Sequence, residues 1–294
     1  MKIFVTGGTG FIGKFVISKL KSEKNKLLIL TRNLHVSENS KNTLFVKGDL
    51  SDVNQWKDEL KKFMPDAAIH LAWEGIPDYS SKNSIKNLNF SLELVQLLAE
   101  IGCKKILATG TLWEYGDQSG KLSEDMQIKP FNAFTAAKNA LNWLGSEIVK
   151  ERGISFIWIR LFYVYGPGLK RDSLIPYLIK CGKENKKAEI RNLYAQNDFV
   201  YVEDVADAIC TLLLKCKKGG VYNIGSGQLT SVQTIIEKIF NSFSKQKKYK
   251  KTKKKNLDSL AYAYADISKI QKFGWKPRIN IEEGLRKTIE ASLN

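Results

Sequence analysis

A strand-like apolar run followed at once by a glycine-rich turn constrains this chain most. Residues 1–6 read Met-Lys-Ile-Phe-Val-Thr, and residues 7–13 read Gly-Gly-Thr-Gly-Phe-Ile-Gly before an amphipathic segment. Gly7 can make a tight turn, Gly10 lets the backbone approach a pyrophosphate, and Gly13 lets a helix pack closely on the strand. The N–H groups at the helix start would hold the anion. The spacing therefore predicts a dinucleotide site.

Strand-like runs and amphipathic helical patterns alternate through the first half of the chain. Such alternation predicts an α/β fold with a parallel sheet covered on both faces, and ligands then bind beyond the carboxyl ends of the strands. Helices are predicted at 88–101 and 133–149. After the N-terminal run, strands are predicted at 26–30, 44–49, 67–73, 104–109 and 154–160.

The alternation loosens after residue 168 and returns between residues 198 and 227. We therefore predict a Rossmann-type doubly wound parallel sheet, formed by 1–167 and 198–227, that binds the dinucleotide. A smaller, discontinuous C-terminal domain, formed by 168–197 and 228–294, would bind the substrate.

The amino-acid composition limits the classes of protein to which the chain can belong. The chain has 294 residues, of which 43% are apolar, and it has no apolar run of roughly eighteen residues that would span a membrane. Its N-terminus does not read as a signal peptide, so a cytoplasmic protein with no membrane attachment is expected. The four cysteines show neither metal nor redox spacing, which predicts reduced thiols and no metal site.

The net charge of +17 bears on the partner. Because the lysines are dispersed along the chain, the charge favours a solvated surface and an anionic substrate, and it makes nucleic acid an unlikely partner. The densest lysine run, 245–255, is interpreted as an exposed loop.

The end of the second strand bears on the cofactor. An adenosine ribose lies there in a Rossmann sheet, and an acidic residue would hold the 2′-hydroxyl of NAD. This chain has Thr31 and Arg32 instead, and an arginine suits a 2′-phosphate. The sequence therefore predicts NADP(H), with NAD as the less favoured cofactor.

Two segments carry the candidate chemistry, 108–116 just past the fifth strand and 130–138 at the start of the next helix. In these two segments the chain resembles the extended short-chain dehydrogenase/reductases of the NAD-dependent epimerase/dehydratase family, which act on nucleotide sugars. The resemblance runs nearly end to end. Its other matching positions are 1–13, 48–50, 70–72, Asn87, 160–168, 198–204, 222–227, 265–268, 274–277 and 283–285.

The resemblance implies a catalytic set of a Ser or Thr, a Tyr, and a Lys four residues after the Tyr. In that family the hydroxyl group orients the sugar, the tyrosine transfers the proton, and the lysine lowers the tyrosine pKa and holds the nicotinamide ribose. Thr111 and Lys138 occupy two of these positions, but the tyrosine position is Phe134. Phenylalanine keeps the ring and loses the proton donor.

Three explanations of Phe134 are open. It is an introduced Tyr→Phe change that impairs this form, or it is native to an enzyme that uses another donor, such as Tyr163, Glu114 or a water. Under the third explanation, the chain is a regulatory protein that binds a dinucleotide and catalyses no reaction.

The sub-family clues concern the residues after Thr111. Dehydratases of this superfamily carry an Asp-Glu pair there, whereas this chain has Leu112 and Trp113. The segments 70–73, 109–111 and 114–116 resemble reductases of nucleotide-linked 4-keto-6-deoxy sugars. The sequence therefore predicts an NADPH-dependent ketoreductase, with an epimerase that holds NAD tightly as the alternative.

The resemblance also implies partners and a set of binding residues. Its members often dimerise through two helices, here 82–101 and 132–149, so we expect a homodimer. Where the family commonly has an arginine for the diphosphate, this chain has Asn197. The candidate replacements are Arg191, Lys170, Arg171 and the lysine run 245–255. The expected substrate residues are Trp73, Thr111, Trp113, Glu114, Arg191 and Asn197. The expected cofactor residues are Gly7, Thr9, Gly10, Phe11, Ile12, Gly13, Arg32, Asp49, Leu50, Leu71, Ala72, Trp73, Asn87, Thr109, Lys138 and Tyr163.

Overall fold

A computed structural model gives the architecture. The residues that it describes are 1–33, 40–169, 173–190, 192–243, 249–251 and 262–293. The strands in chain order are β1 Lys2–Thr6, β2 Lys26–Thr31, β3 Thr43–Lys47, β4 Ala67–His70, β5 Lys105–Thr111, β6 Gly120–Leu122, β7 Ser155–Leu161, β8 Tyr163–Tyr165, β9 Ala188–Ile190, β10 Gln196–Asn197, β11 Phe199–Tyr201, β12 Gly220–Ile224, β13 Thr230–Ser231, β14 Tyr249–Lys251 and β15 Ala263–Ala265.

The helices alternate with the strands of the main sheet and then gather towards the C-terminus. Short 3₁₀ helices cover Val53–Gln55 and Leu112–Tyr115. The α-helices are α1 Phe11–Ser22, α2 Lys57–Phe63, α3 Ser81–Glu100, α4 Ala133–Lys150, α5 Leu174–Lys183, α6 Val202–Lys215, α7 Val232–Ser242, α8 Ser268–Gln271 and α9 Ile281–Leu293.

Seven parallel strands form the main sheet, in the order β12-β7-β5-β4-β1-β2-β3. This confirms the predicted α/β fold with a Rossmann-type sheet. Thr6 pairs with His70 and His70 with Ala108, so β1, β4 and β5 run side by side towards one edge. The strand order reverses beside β1, and α/β sheets bind ligands at the carboxyl edge of such a point.

Apolar layers cover both faces of the sheet, as expected for parallel strands. On one face α1 and α6 pack over β1 through residues such as Val16 and Ile209, both fully buried. On the other face α2, α3 and α4 bury residues such as Leu98 and Leu141. The strands are therefore apolar throughout, and polar side chains collect at their carboxyl ends.

A third core, formed by α5, α7 and α9 with β9 and β11, lies in the C-terminal part of the chain. Much of it comes from the residues predicted to form a substrate domain. Ile270 and Trp275, which that prediction also gave to the second domain, pack instead in the core of the main sheet, where Trp275 Nε1 donates to Asp204 O at 3.0 Å.

Local signals explain where the helices begin. The Ser80 side chain accepts from Asn83 N and starts α3 seven residues before the predicted helix. Asn132 forms a capping box with Thr135 at the start of α4, close to the predicted position. Strand β4 ends at His70, earlier than predicted, although Leu71 N still donates to Thr6 O at 3.1 Å.

Candidate active site

The glycine turn between β1 and α1 has the close packing that a pyrophosphate site needs. Gly7 has a φ of +71°, and Gly10 N donates to Gly7 O at 3.0 Å. A Cβ atom on Gly13 would lie 2.1 Å from Gly7 O, so only glycine fits there. The first-turn N–H groups of α1, from Phe11 onwards, are the donors that a helix leaves for an anion. Thr9 and Gly10 are exposed beside them.

The segment after β4 packs directly on this turn. A Cβ atom on Gly7 would lie 2.7 Å from Ala72 N, so the backbone at Leu71 and Ala72 forms one wall. Ile12, half-buried, packs against the core beneath the turn, and Leu50 packs against the opposite core. Leu71 and Ala72 therefore lie directly beside the glycine turn at the carboxyl edge of the sheet.

Acidic groups surround Arg32 at the end of β2. Its Nη1 lies 2.6 Å from Glu74 Oε1, and its Nε lies 3.8 Å from Asp49 Oδ2. The second oxygen of Glu74 lies 2.9 Å from Lys86 Nζ. Burial works to raise the pKa of Asp49, but the hydrogen bonds from Ser51 and the charge of Arg32 lower it below its ordinary value. The arginine that suggested NADP is thus already paired with carboxylates.

The Asn87 amide holds the loop that carries Glu74. Glu74 N donates to Asn87 Oδ1 at 2.7 Å, and Asn87 Nδ2 donates to Asn83 O at 2.8 Å and to Glu74 O at 3.2 Å. Asn87 is buried. These contacts give Asn87 a structural role in this loop, and its contact with the cofactor stays a prediction.

Lys138 of α4 is buried and its ammonium group is fixed. Nζ donates to Thr109 O at 2.7 Å and lies 3.9 Å from the Trp73 ring centroid. Trp73 Nε1 is itself buried without a hydrogen-bond partner among the described residues. A buried donor beside a fixed cation fits the hydroxyl and phosphate oxygens of a nucleotide ligand.

A buried histidine lies below Lys138. His70 contacts Thr6 Oγ1 at 2.7 Å through Nδ1 and Ser91 Oγ at 2.9 Å through Nε2. Burial, and then the charge of Lys138, lower the pKa of His70 to about 3. The imidazole is therefore neutral near pH 7, and the positive charge at this edge belongs to Lys138.

Thr111 ends β5 and caps the short helix that follows. Its Oγ1 accepts from Trp113 N at 3.3 Å, and its backbone N–H donates to Glu114 Oε1 at 2.9 Å. A hydroxyl that accepts one hydrogen bond still has a proton to donate. Thr111 is half-buried, so this proton can face a ligand.

Glu114 lies in the interior, which corrects the expectation that it contacts substrate. Its side chain is fully buried, and its carboxylate accepts from Trp158 Nε1 at 3.1 Å and from Arg160 Nε at 2.9 Å. Burial works to lower the pKa of Arg160, but Glu114 and Tyr115 raise it above its ordinary value. Both carboxylate oxygens are therefore occupied by the ion pair and its neighbours.

Phe134 lies in a cluster of rings that we call the aromatic cage, and its side chain is only 5% exposed. Its ring centroid is 5.1 Å from that of Tyr79, 5.5 Å from that of Trp73 and 6.3 Å from that of Trp113. Phe131 extends the cage, 6.0 Å from Trp113. Tyr79 is the member that sequence reasoning missed, because no motif marks it and only the folded loop brings it to Phe134.

The remaining expected residues lie on strands outside the main sheet or outside the described residues. Tyr163, on β8, packs its ring 5.7 Å from Phe199. Asn197 is buried on β10, where it pairs with Thr230 and Ala263. Arg191, Lys170, Arg171 and all of the lysine run except residues 249–251 lie outside the described residues.

Comparisons with known proteins place the chain in a family. Residues 3–225 match the model of the NAD dependent epimerase/dehydratase family, and the chain belongs to this family. It is 26% identical to mouse dTDP-D-glucose 4,6-dehydratase, with 98% of this chain and 88% of that protein covered. It is 28% identical to the UDP-glucuronate 4-epimerase of Thermodesulfobacterium geofontis, covering 98% of this chain and 95% of that one.

A solved structure agrees with this placement. The dTDP-glucose 4,6-dehydratase of Bacillus anthracis, solved in complex with NAD, superposes with a TM-score of 0.85 at 25% identity and covers 100% of this chain and 96% of its own. Within the described residues, no helix is both long and apolar enough to cross a membrane. The same residues contain no cluster of three or more His, Cys, Asp or Glu side chains placed to hold a metal ion.

Proposed function

We propose that this protein is an oxidoreductase that transfers hydride at a ring carbon, most simply C4, of a nucleotide-linked keto sugar. One observation carries the proposal: the glycine turn, Thr111 and the Lys138 ammonium group converge on one edge of the sheet. The first is an anion site, the second a hydroxyl donor and the third a fixed cation, which are the groups that a dinucleotide and a sugar carbonyl need.

The bound nicotinamide dinucleotide would supply or accept the hydride. The chain itself supplies position and charge. The start of α1 holds the pyrophosphate, and Lys138, fixed by Thr109 O at 2.7 Å, holds the ribose hydroxyls. Thr111 Oγ1 donates its proton to the sugar oxygen and so fixes the carbonyl in place for reduction.

The cofactor that fits this site best is NAD(H), whereas the sequence suggested NADP(H). Arg32 is 69% exposed and is paired with Glu74 at 2.6 Å, with Asp49 at 3.8 Å. A 2′-phosphate would have to approach Arg32 between two carboxylates, and like charges repel it. The B. anthracis dehydratase, solved with NAD, supports the same choice.

Reduction or epimerisation suits this site better than elimination of water. Leu112, which follows Thr111, is buried, and the next carboxylate, Glu114, is paired with Arg160 at 2.9 Å. Elimination needs an acid and a base at the sugar, and these positions offer neither. The second candidate is therefore an NAD-dependent epimerase, favoured by the carboxylates around Arg32 and by the epimerase among the relatives.

The test supplies two kinds of substrate to the purified chain. With NADH and dTDP-4-keto-6-deoxyglucose, a ketoreductase oxidises NADH and yields a sugar nucleotide heavier by two hydrogens. With UDP-glucose or UDP-glucuronate, an epimerase yields an isomer of unchanged mass and consumes no NADH. Binding of NADH and UDP-sugar without either product would overturn both candidates and favour the regulatory protein.

The predicted homodimer is part of the same proposal. Ile85 on α3 is 56% exposed, and Trp143 and Leu144 on α4 are 77% and 49% exposed. Helices α3 and α4 pack together, and exposed apolar side chains on both of them suit a second copy of the chain. Light scattering at micromolar protein should give twice the chain mass, and Trp143→Glu should reduce it towards one chain.

A further inference from the structure

The cage around Phe134 contains a hydroxyl group that can replace the missing one. Three described rings contact Phe134, namely Trp73, Tyr79 and Trp113, and of these only Tyr79 carries a hydroxyl. Tyr79 is also the nearest of the three, at 5.1 Å between ring centroids. The missing function is a phenol at the catalytic position, and the neighbouring ring is a phenol.

Lys138 supplies charge to the same cage. Its Nζ lies 3.9 Å from the Trp73 ring centroid and 5.9 Å from that of Phe134. A buried ammonium group at this position stabilises the phenolate form of a nearby tyrosine. The carboxylate of Glu114 is turned away, towards Arg160, and leaves this charge in place.

The loop that carries Tyr79 is fixed on both sides. Asn83 Nδ2 donates to Asp78 O at 2.9 Å and to Glu74 O at 3.0 Å, and Asn87 binds Glu74 from the next turn of α3. Ser80, the next residue, caps α3. The residues on either side of Tyr79, Asp78 and Ser80, are thus held by hydrogen bonds. The Tyr79 ring centroid lies 5.2 Å from that of Trp113.

We propose that Tyr79 is the catalytic proton donor and acceptor of this protein, with Phe134 as an apolar support for its ring. The inference rests on the proposed function. In reduction, the carbonyl carbon gains a hydride from the reduced dinucleotide, and the C=O π pair moves onto oxygen. The Tyr79 O–H bond breaks as its proton passes to that oxygen, which becomes the alcohol. Tyr79 is left as a phenolate, and water returns the proton.

Tyr79→Phe tests the proposal directly. With NADH and dTDP-4-keto-6-deoxyglucose, kcat should fall by about 10²–10⁴-fold, the usual contribution of general acid catalysis, while KM changes little. Calorimetric affinities for NADH and for UDP should stay within about threefold of the parent, because the hydroxyl acts in the proton transfer. A matched control is Tyr177→Phe on α5, which removes a hydroxyl that accepts from Glu189 N and lies outside the aromatic cage.

A rescue experiment separates a proton donor from a structural tyrosine. Adding Phe134→Tyr to Tyr79→Phe moves the hydroxyl to the adjacent ring, beside Lys138, and should recover at least about tenfold in kcat. A residue needed only for packing or stacking would gain nothing from that second change.

The contrary outcomes are distinct. The assignment would be overturned if Tyr79→Phe kept an activity close to that of the parent. It would also be overturned if the loss of kcat appeared in Tyr163→Phe and not in Tyr79→Phe. An inactive parent that Phe134→Tyr activates would also overturn it, while the proposed function would stand. Loss of NADH or UDP affinity in Tyr79→Phe would make the residue a binding group. Turnover by none of these forms would overturn the proposed function as well.

Discussion

The glycine turn and the aromatic cage lie at the same edge of the sheet but are built from different parts of the molecule. The turn is made of backbone, and its geometry depends on the absence of side chains: a Cβ on Gly13 would lie 2.1 Å from Gly7 O. The cage is made of side chains from three separate segments, which meet around Phe134. A site made of backbone tolerates few changes of residue. In a site made of side chains, the same functional group can be carried by one ring or by its neighbour.

The buried ion pair beneath the cage gives the largest expected effect. Glu114→Gln leaves Arg160 charged and buried without its carboxylate, so the free energy of unfolding should fall by about 3–5 kcal/mol. Urea unfolding of parent and variant measures the loss. The control is Glu147→Gln, which breaks an exposed pair with Lys150 and should change stability by about 0.5 kcal/mol or less. Equal losses in both variants would contradict a special role for the buried pair.

Gly13→Ala should damage the glycine turn while the cage remains. The new Cβ would force Gly7 O and the start of α1 apart, so we expect NADH to bind at least about 100-fold more weakly, or about 2.7 kcal/mol. Calorimetric titration with NADH measures this effect, and near-ultraviolet circular dichroism reports whether the cage tryptophans keep their packing. Unchanged NADH affinity would mean that the pyrophosphate binds elsewhere.

The buried His70 predicts that the stability of the folded protein depends on pH. His70 stays neutral in the folded protein because its pKa is about 3, whereas in the unfolded chain it takes up a proton near pH 6.5. The unfolded state thus binds more protons below pH 6.5, and stability falls as the pH is lowered. The contribution from His70 is about 2 kcal/mol at pH 5.

Urea unfolding at pH 7 and pH 5 measures this contribution as a difference between variants. In His70→Asn the side chain still forms hydrogen bonds but does not titrate, so that variant should lose about 2 kcal/mol less than the parent on acidification. The chain has one other histidine, His35, and His35→Asn serves as the control. Equal pH dependence in the parent and His70→Asn would contradict a neutral, buried His70.

The smallest expected effect concerns the carboxylates beside Arg32. Glu74→Gln removes one of the two carboxylates beside Arg32, which frees the guanidinium group for a 2′-phosphate. We expect NADPH to bind about tenfold more tightly, or about 1.4 kcal/mol, with little change for NADH. Arg32→Ala in the same background should abolish the gain. A parent that binds NADPH more tightly than NADH would contradict the choice of NAD(H).

The two regions also differ in how far the sequence predicted them. The glycine spacing predicted the turn, and the alternation of patterns predicted the parallel sheet, because both depend on short stretches of chain. Thr111 and Lys138 were placed by resemblance, and the structure brings both to the carboxyl edge. Glu114 was misjudged, because nothing near it in sequence shows that Arg160, 46 residues away, takes its carboxylate.

What the sequence by itself determined is the sheet, the backbone turn at its edge and the loss of a tyrosine hydroxyl at Phe134. The sheet and the turn follow from residues close together in the chain, whose conformations are limited by local sterics and periodicity, whereas the meaning of Phe134 comes from the resemblance to the family. The tertiary structure alone decided that Arg32 is paired with Glu74 and that Tyr79 packs against Phe134. These contacts join residues 42 and 55 positions apart, and only the strand order of the sheet, with α3 and α4 packed on it, brings such side chains together.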